Sequence, residues 1–391
     1  MGSNWFIYAD NNATTKISES VRKAMEPFLS KDFGNPSSKS SIGEKAKNAI
    51  DNAREKVANA IGAEKKEIIF TSGGSESNSL GINSCLCSKT QGKRILTTPI
   101  EHDSIRQNLK YLSKNYEIIY IPVNKQGELN LDYIDNLNLD DVLFCTLMYV
   151  NNEIGTINPI SSISSKIKKQ RNDIPIHTDA VAALGKIDIS VKNLGVDYLS
   201  ISGHKIHAPK GVGALYFKEN QHVQPLIWGH QENELRGGTE NVASIVGFGQ
   251  AIEDICCNLK EKNLNTAKLR DKIDKEILKN IVDSGINGEK SDRVSNTTNL
   301  YFPGIDAIKL LFRLQTNGNG IYASNGSACN SGKSEPSHVL IAIKSDYPTS
   351  SIRISLSHDT SDHDVDILID LLISVVNEMK KEVYNGSFNK F

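Results

Sequence analysis

The chain has 391 residues, of which 38% are hydrophobic, and its 45 basic and 46 acidic residues leave a net charge of −1. That composition supports a large buried core, in two or three domains or in one large α/β domain with an appendage. Near-neutrality argues against a standing electrostatic surface for nucleic acid or anionic membrane, so neither is an expected partner.

The opening residues, Met1-Gly2-Ser3-Asn4-Trp5-Phe6, have neither the basic stretch nor the apolar run of an export signal. No apolar run approaches the ~20 residues of a membrane span. The cysteines are Cys85, Cys87, Cys145, Cys256, Cys257 and Cys329, with no CxxC pair among them. Six in a chain this long do not make a disulfide scaffold, and a cytoplasmic location is expected.

In chain order, the apolar spacing of Ala46, Ala49, Ile50, Ala53, Val57, Ala60 and Ile61 predicts a helix over Gly43 to Ile61, stopped by Gly62. Glu67 to Thr71 reads as a short buried strand. Further β-branched or apolar runs follow at Arg94–Thr98, Ile118–Val123, Val142–Val150, Ile174–Thr178, Tyr198–Ser202 and Gly213–Phe217. Helical patterns such as Ser104–Leu112 and Ile160–Lys169 separate them, which suggests a mainly parallel sheet covered on both faces. A long helical stretch runs from Val242 to Ile281, with a break expected near Asn263–Asn265. Strands at Thr298–Phe302 and Ile352–Leu356 and a last helix around Asp364–Val383 complete a smaller α+β domain. The Gly-, Ser- and Asn-rich tract from Asn317 to Ser334 suggests a mobile loop, and Cys329 lies in it.

Six segments carry candidate chemistry. Ser200-Ile201-Ser202-Gly203-His204-Lys205 sets a lysine just past a strand among small residues, where burial favours a nucleophilic amine. An ordinary lysine on a surface turn is the competing reading. Thr71-Ser72-Gly73-Gly74-Ser75-Glu76-Ser77 joins a strand to a helix, and its glycines let backbone N–H groups approach an anion; it also fits any strand–helix connection. His177-Thr178-Asp179-Ala180 offers a buried acid that could keep a pyridine nitrogen protonated, or simply cap the next helix. Ile100-Glu101-His102 places a histidine past a strand, fit to stack on a ring or move protons. Cys329, within Asn325-Gly326-Ser327-Ala328-Cys329, stands in a polar loop where a thiol can ionise. Arg353, within Ser351-Ile352-Arg353, could grip a carboxylate bidentately, or serve a structural ion pair. His358 and His363, with Asp359, Asp362 and Asp364, read as a solvated helix entry and not as a metal site.

Taken in order, these segments resemble the class V aminotransferase group and, within it, the NifS/IscS-like cysteine desulfurases of the long-loop type. The resemblance also rests on Tyr8-Ala9-Asp10-Asn11-Asn12-Ala13-Thr14-Thr15, Phe33-Gly34-Asn35-Pro36-Ser37-Ser38, Val150-Asn151-Asn152-Glu153-Ile154-Gly155 and Arg236-Gly237-Gly238-Thr239-Glu240-Asn241. It implies an α/β type I fold of pyridoxal 5'-phosphate (PLP) enzymes. Residues 15–257 would form a large, mainly parallel mixed-sheet domain, and residues 1–14 and 258–391 the small α+β domain. It further implies that Lys205 carries the cofactor, that Asp179 meets its ring nitrogen, that His102 stacks on the ring and that Asn152 lies near the phenolic oxygen. Gly74, Ser75, Ser202 and His204 would hold the phosphate, with Thr239 supplied by the partner of a homodimer. Arg353 and Asn152, beside Ala13 and Thr14, would bind the substrate L-cysteine. Lys205, Cys329 and His102 would be the catalytic groups, and a persulfide on Cys329 would pass to a sulfur-acceptor protein for iron–sulfur cluster assembly or thiolation.

The chain departs from the family pattern at four places. Ala182 stands where glutamine is usual and would otherwise donate to the phenolic oxygen. Trp228-Gly229-His230 replaces a run of glycines, which would narrow the wall of the site. Ser40 stands in place of a histidine, and Ala208 in place of a glycine. The alternatives are a selenocysteine lyase or related PLP lyase, which has no need of a persulfide-forming Cys329, and a weakly catalytic scaffold that binds a sulfur partner.

Overall fold

In the computed structural model, residues 5–88, 91–316, 319–326 and 336–388 are described. Cys329, with the rest of its loop from residue 327 to 335, lies outside the described residues. The first strand, β1 (Phe6–Tyr8), belongs to a small sheet. Seven others, β2 (Ile68–Thr71), β3 (Arg94–Thr97), β4 (Glu117–Tyr120), β5 (Val142–Met148), β6 (Ile176–Asp179), β7 (Tyr198–Ser202) and β8 (Gly213–Phe217), form one sheet in the order β2-β8-β7-β6-β5-β3-β4. β5, β6 and β7 are buried at every position and not at alternate ones, as strands covered on both faces must be. The pairings among β4, β3, β5, β6 and β7 are parallel, whereas β8 runs antiparallel to β7 and β2. The sheet is therefore mainly parallel and mixed. The carboxyl ends of β5, β6 and β7 open onto the same edge, where open α/β sheets bind their ligands.

One helix, Gly74–Leu86, packs on β6, β7 and β8. Its small residues permit the close approach. A Cβ on Gly81 would stand 2.6 Å from His177 Cδ2, and one on Gly74 2.7 Å from Val181 Cγ2. His177 itself is a buried cross-strand bridge, with Nδ1 2.8 Å from Thr146 Oγ1 and Nε2 2.9 Å from Ser200 Oγ. Burial drives its pKa down to about 3, so it stays a neutral imidazole.

The helical stretch after residue 242 breaks at a different place from the one expected. It runs as Val242–Cys256 and Leu259–Asn280, with the turn at Cys257–Asn258. Asn258 sits at φ 58°, a left-handed conformation that asparagine adopts at low cost. Asn263 stays helical and is occupied elsewhere. Its Nδ2 donates to the Lys186 carbonyl at 2.8 Å, and its Oδ1 accepts from Ser295 Oγ at 3.0 Å.

The remaining strands are β9 (Gly285–Ile286), β10 (Thr297–Tyr301), β11 (Gln315–Thr316), β12 (Asn319–Tyr322) and β13 (Ser351–Ser355). β10 pairs antiparallel with β9 and β13, while β1 joins β12 in parallel. The large sheet is packed by two apolar clusters, one with Phe70, Leu96 and Leu199 and the other with Ile69, Ile95 and Leu215, while a further core gathers Ile7 and Ala9 with Ile273, Leu300, Ile354 and Leu372. The last helix, Asp362–Phe388, is longer at both ends than its apolar pattern indicates. Among the described residues, no helix is long and apolar enough to cross a membrane.

Candidate active site

At the carboxyl ends of β5, β6 and β7 lies a cavity of about 300 Å³ whose walls include Ala13, Gly74, Ser75, His102, Asn152, Asp179, His204, Lys205 and Arg353. Nine of the residues singled out from the sequence thus come together from segments scattered over most of the chain. Thr14 and Ser202 line an adjoining open cleft that shares Ala13, Gly74, Ser75 and His204 with the cavity. Thr239 does not reach either space within its own chain. It lines a separate cavity with Glu232 and Arg236.

Lys205 ends a tight turn after β7, and Gly203 lets that turn form, because a Cβ there would stand 2.9 Å from Ala208 Cβ. The Lys205 amine donates to the carbonyls of Asn12 and, at 2.9 Å, of Ala13. The segment carrying those carbonyls crosses the turn directly, for Thr15 donates from N and from Oγ1 to the His204 carbonyl, each at 2.9 Å.

Asp179 ends β6 with both oxygens engaged. Oδ1 accepts the Val181 N–H at 2.9 Å and Oδ2 accepts from Asn78 Nδ2 at 2.8 Å. His102 caps the helix Asp103–Leu112 by accepting the Ser104 N–H on Nδ1 at 3.1 Å. Behind it, Glu101 is wholly buried; its Oε1 accepts from Thr98 Oγ1 at 2.7 Å and from the Met148 N–H at 2.9 Å. Burial pushes that carboxyl up to about 8.

The structure offers a good fit for a phosphate at one end of the cavity. Among the described residues no side chain caps the start of the Gly74–Leu86 helix, and Gly73, Gly74 and Ser75 line the cleft, so the partial positive charge of that helix end lies beside it. Gly73 is at φ 151°, which disfavours any other residue. Ser202 Oγ is buried with no hydrogen-bond partner among the described residues, an arrangement that a bound anion would relieve. His204 is held down to about 4, by burial first and then by Lys205, so it meets a ligand as a neutral ring.

The wall residues not singled out from the sequence include Asn78, Ser104, Glu153 and His338. Asn78 lies one helical turn beyond Gly74, so the phosphate motif contained a signal for it. Ser104 is the first-turn partner of His102. Glu153, next to Asn152, is buried and accepts from Ser337 Oγ at 2.5 Å, and burial raises its pKa despite Arg353. A Cβ on Gly326 would stand 2.4 Å from Glu153 Oε2 and would sit at φ 86°, so that position requires glycine twice over. His338 comes from far along the chain and pairs through Nε2 with the Glu101 carbonyl at 2.9 Å. Nothing local in the sequence marks it.

The departures from the family pattern fall in different surroundings. Ala182 lines the cavity. Trp228 does not line it and is 74% exposed, so within one chain it narrows nothing. Ser40 caps the helix Ser41–Ile61 by accepting the Gly43 N–H.

Residues 7–368 match the family described as aminotransferase class-V. A cysteine desulfurase IscS of Methanosarcina thermophila is 42% identical over 382 residues, which are 96% of this chain and 93% of that protein. A solved NifS-like protein superposes with a TM-score of 0.88 at 34% identity, covering 95% of this chain and 99% of its own. SspA, solved in complex with cysteine, superposes with a TM-score of 0.78 at 34% identity, covering 89% and 98%. With so much of its length matched, the chain belongs to the cysteine desulfurases of the class-V aminotransferase family.

Proposed function

We propose that the chain is a PLP-dependent cysteine desulfurase, which converts L-cysteine to L-alanine and leaves the sulfur as a persulfide on Cys329. The observation that carries this reading is the convergence of Lys205, Asp179, His102 and Arg353 on one cavity that adjoins the cleft lined by Gly74, Ser75 and Ser202.

In this reading Lys205 holds the cofactor's aldehyde, Asp179 its ring nitrogen, His102 its ring face and Asn152 its phenolic oxygen. Gly74, Ser75, Ser202 and His204 hold its phosphate. Bound PLP supplies an electron sink that weakens the bonds at the substrate's α-carbon. Arg353 and Asn152 fix the substrate carboxylate, with Ala13 and Thr14 closing that side. The Lys205 amine takes the α-proton as general base. The Cys329 thiolate then attacks the substrate's sulfur. A sulfur–sulfur bond forms, the carbon–sulfur bond breaks, and its electron pair stays on carbon, where protonation yields the methyl group of alanine. The persulfide passes to an acceptor protein of iron–sulfur cluster assembly or thiolation, in the cytoplasm.

A homodimer fits the same reading. Thr239 would reach the phosphate of a second copy, and the exposed apolar run Leu226-Ile227-Trp228 lies just ahead of it in the chain.

The test is the absorption of the purified protein in the near-visible range, for wild type and Lys205→Ala, followed by alanine assay with L-cysteine. A band that is lost in Lys205→Ala, together with alanine formation, is the expected result. A colourless protein that stays inert after added PLP would overturn the reading.

A further inference from the structure

Asn78 and Ser104 have no role in the chemistry above, yet they join two of its residues. Asn78 Nδ2 donates to Asp179 Oδ2 and to Ser104 Oγ, each at 2.8 Å, and Ser104 Oγ lies 2.8 Å from His102 Nδ1. The direction of every bond in this chain follows from the groups themselves. A carboxylate only accepts, so Asp179 fixes which end of the Asn78 amide faces it; the reverse orientation would set oxygen against oxygen. The amide NH₂ only donates, so Ser104 Oγ accepts from it and its own hydrogen turns to His102 Nδ1. That nitrogen also receives the Ser104 backbone N–H at 3.1 Å. A ring nitrogen that faces two donors carries no hydrogen, and the single proton of the neutral ring belongs on Nε2.

The surroundings act in the same direction. Burial lowers the proton affinity of His102; Asp179 opposes this, Lys205 adds to it and Asp103 opposes it. The charged and titratable groups facing the ring are Asp179 on β6, Lys205 and His204 on the turn after β7, His338 from the short helix His338–Ala342, and Asp103 on the helix that His102 caps.

Resting on the desulfurase reading, we propose that Asn78 and Ser104 are positioning residues that hold His102 as a neutral ring with its proton on Nε2, making it a proton donor to the cavity and leaving the base role to Lys205. A second proton would have to sit on Nδ1, against the Ser104 N–H, and would force the Ser104 hydroxyl to turn away.

The test is ¹⁵N NMR of the cofactor-loaded protein labelled only in histidine, with the His102 signals assigned by their loss in His102→Asn. Wild type should show the Nε2–H neutral ring from pH 6 to 8. Ser104→Ala removes one of the two donors on Nδ1 and should raise the protonation midpoint by about one pH unit, whereas Ser104→Thr keeps the hydroxyl and should match wild type. Asn78→Ala, which frees the Ser104 hydroxyl, should follow Ser104→Ala. A wild-type ring that carries its proton on Nδ1, one that is cationic at pH 7, or a Ser104→Ala midpoint equal to wild type would each overturn the proposal. The ring signals do not depend on turnover. An inert protein with the expected ring state would sink the desulfurase reading alone, and an active one with the wrong ring state would sink this proposal alone.

Discussion

Arg353 Nη2 lies 2.5 Å from Asp10 Oδ1, and the arginine is only 2% exposed. Nη1 donates to the Asn152 carbonyl at 3.1 Å, and Nε is buried without a partner among the described residues. The guanidinium therefore reaches the cavity wall already oriented by an acid from the N-terminal segment. Arg353→Lys loses the planar fork and should raise KM for cysteine at least about tenfold, or ~1.4 kcal/mol, with a smaller effect on kcat. Asp10→Asn, which keeps the shape and drops the charge, should raise KM less. Steady-state alanine formation checks both.

Gly81 allows the Gly74–Leu86 helix to rest on His177. An alanine there would gain about 1 kcal/mol in helix propensity but would press its methyl 2.6 Å from His177 Cδ2. His177 is held at both ring nitrogens and cannot move aside cheaply, so overpacking of about 1–3 kcal/mol wins. Gly81→Ala should lower the urea midpoint. It should also weaken PLP binding, because the same helix presents Gly74, Ser75 and Asn78.

Two buried groups give stability opposite dependences on pH. Glu101 is raised from its ordinary 4.5 to about 8 by burial, so between those values the folded chain keeps a proton that the unfolded chain releases. Stability is full below 4.5 and falls as pH rises toward 8. Lys186 is lowered from 10.5 to about 7, by burial first and then by Lys205 and Arg353, and there the unfolded chain holds the extra proton. Its contribution makes stability rise between pH 7 and 10.5. Glu101→Gln should flatten the lower window and Lys186→Met the upper, as read by urea unfolding at a series of pH values.

The Ser202 hydroxyl, buried without a partner among the described residues, supports a prediction with two signs. Leaving such a group buried and unpaired costs about 1–3 kcal/mol. Ser202→Ala should therefore leave the cofactor-free protein as stable or more stable, yet weaken its affinity for PLP about tenfold, or ~1.4 kcal/mol. Cofactor titration and thermal unfolding of the same preparation check the two halves.

The sequence made legible what local patterns encode. Tyr198–Ser202 and Gly213–Phe217 are strands with the bounds their apolar runs predict. Lys205, Asp179 and His102 each end a strand or follow one, where a parallel sheet gathers its functional groups. The helix break was misplaced because Asn263 and Asn265 look like stop signals, whereas Asn258 takes the left-handed turn. Asn78, Ser104, Glu153 and His338 escaped notice for a different reason. Their meaning lies in pairings across the chain: Asn78 with Asp179 over 101 residues, Glu153 with Ser337 over 184 and His338 with Glu101 over 237. Ser104 joins Asn78 over 26 residues; local spacing reaches Asn78 from Gly74 and Ser104 from His102, but it carries none of these distant pairings.

The central claim is sulfur transfer to Cys329, and the most direct measurement is alanine formation from L-cysteine by wild type and Cys329→Ser, with mass spectrometry of the protein after a single turnover. The account predicts alanine and a gain of one sulfur atom on Cys329 in wild type, and neither in Cys329→Ser. Alanine output that is equal in the two proteins, with no sulfur retained on the chain, would contradict it.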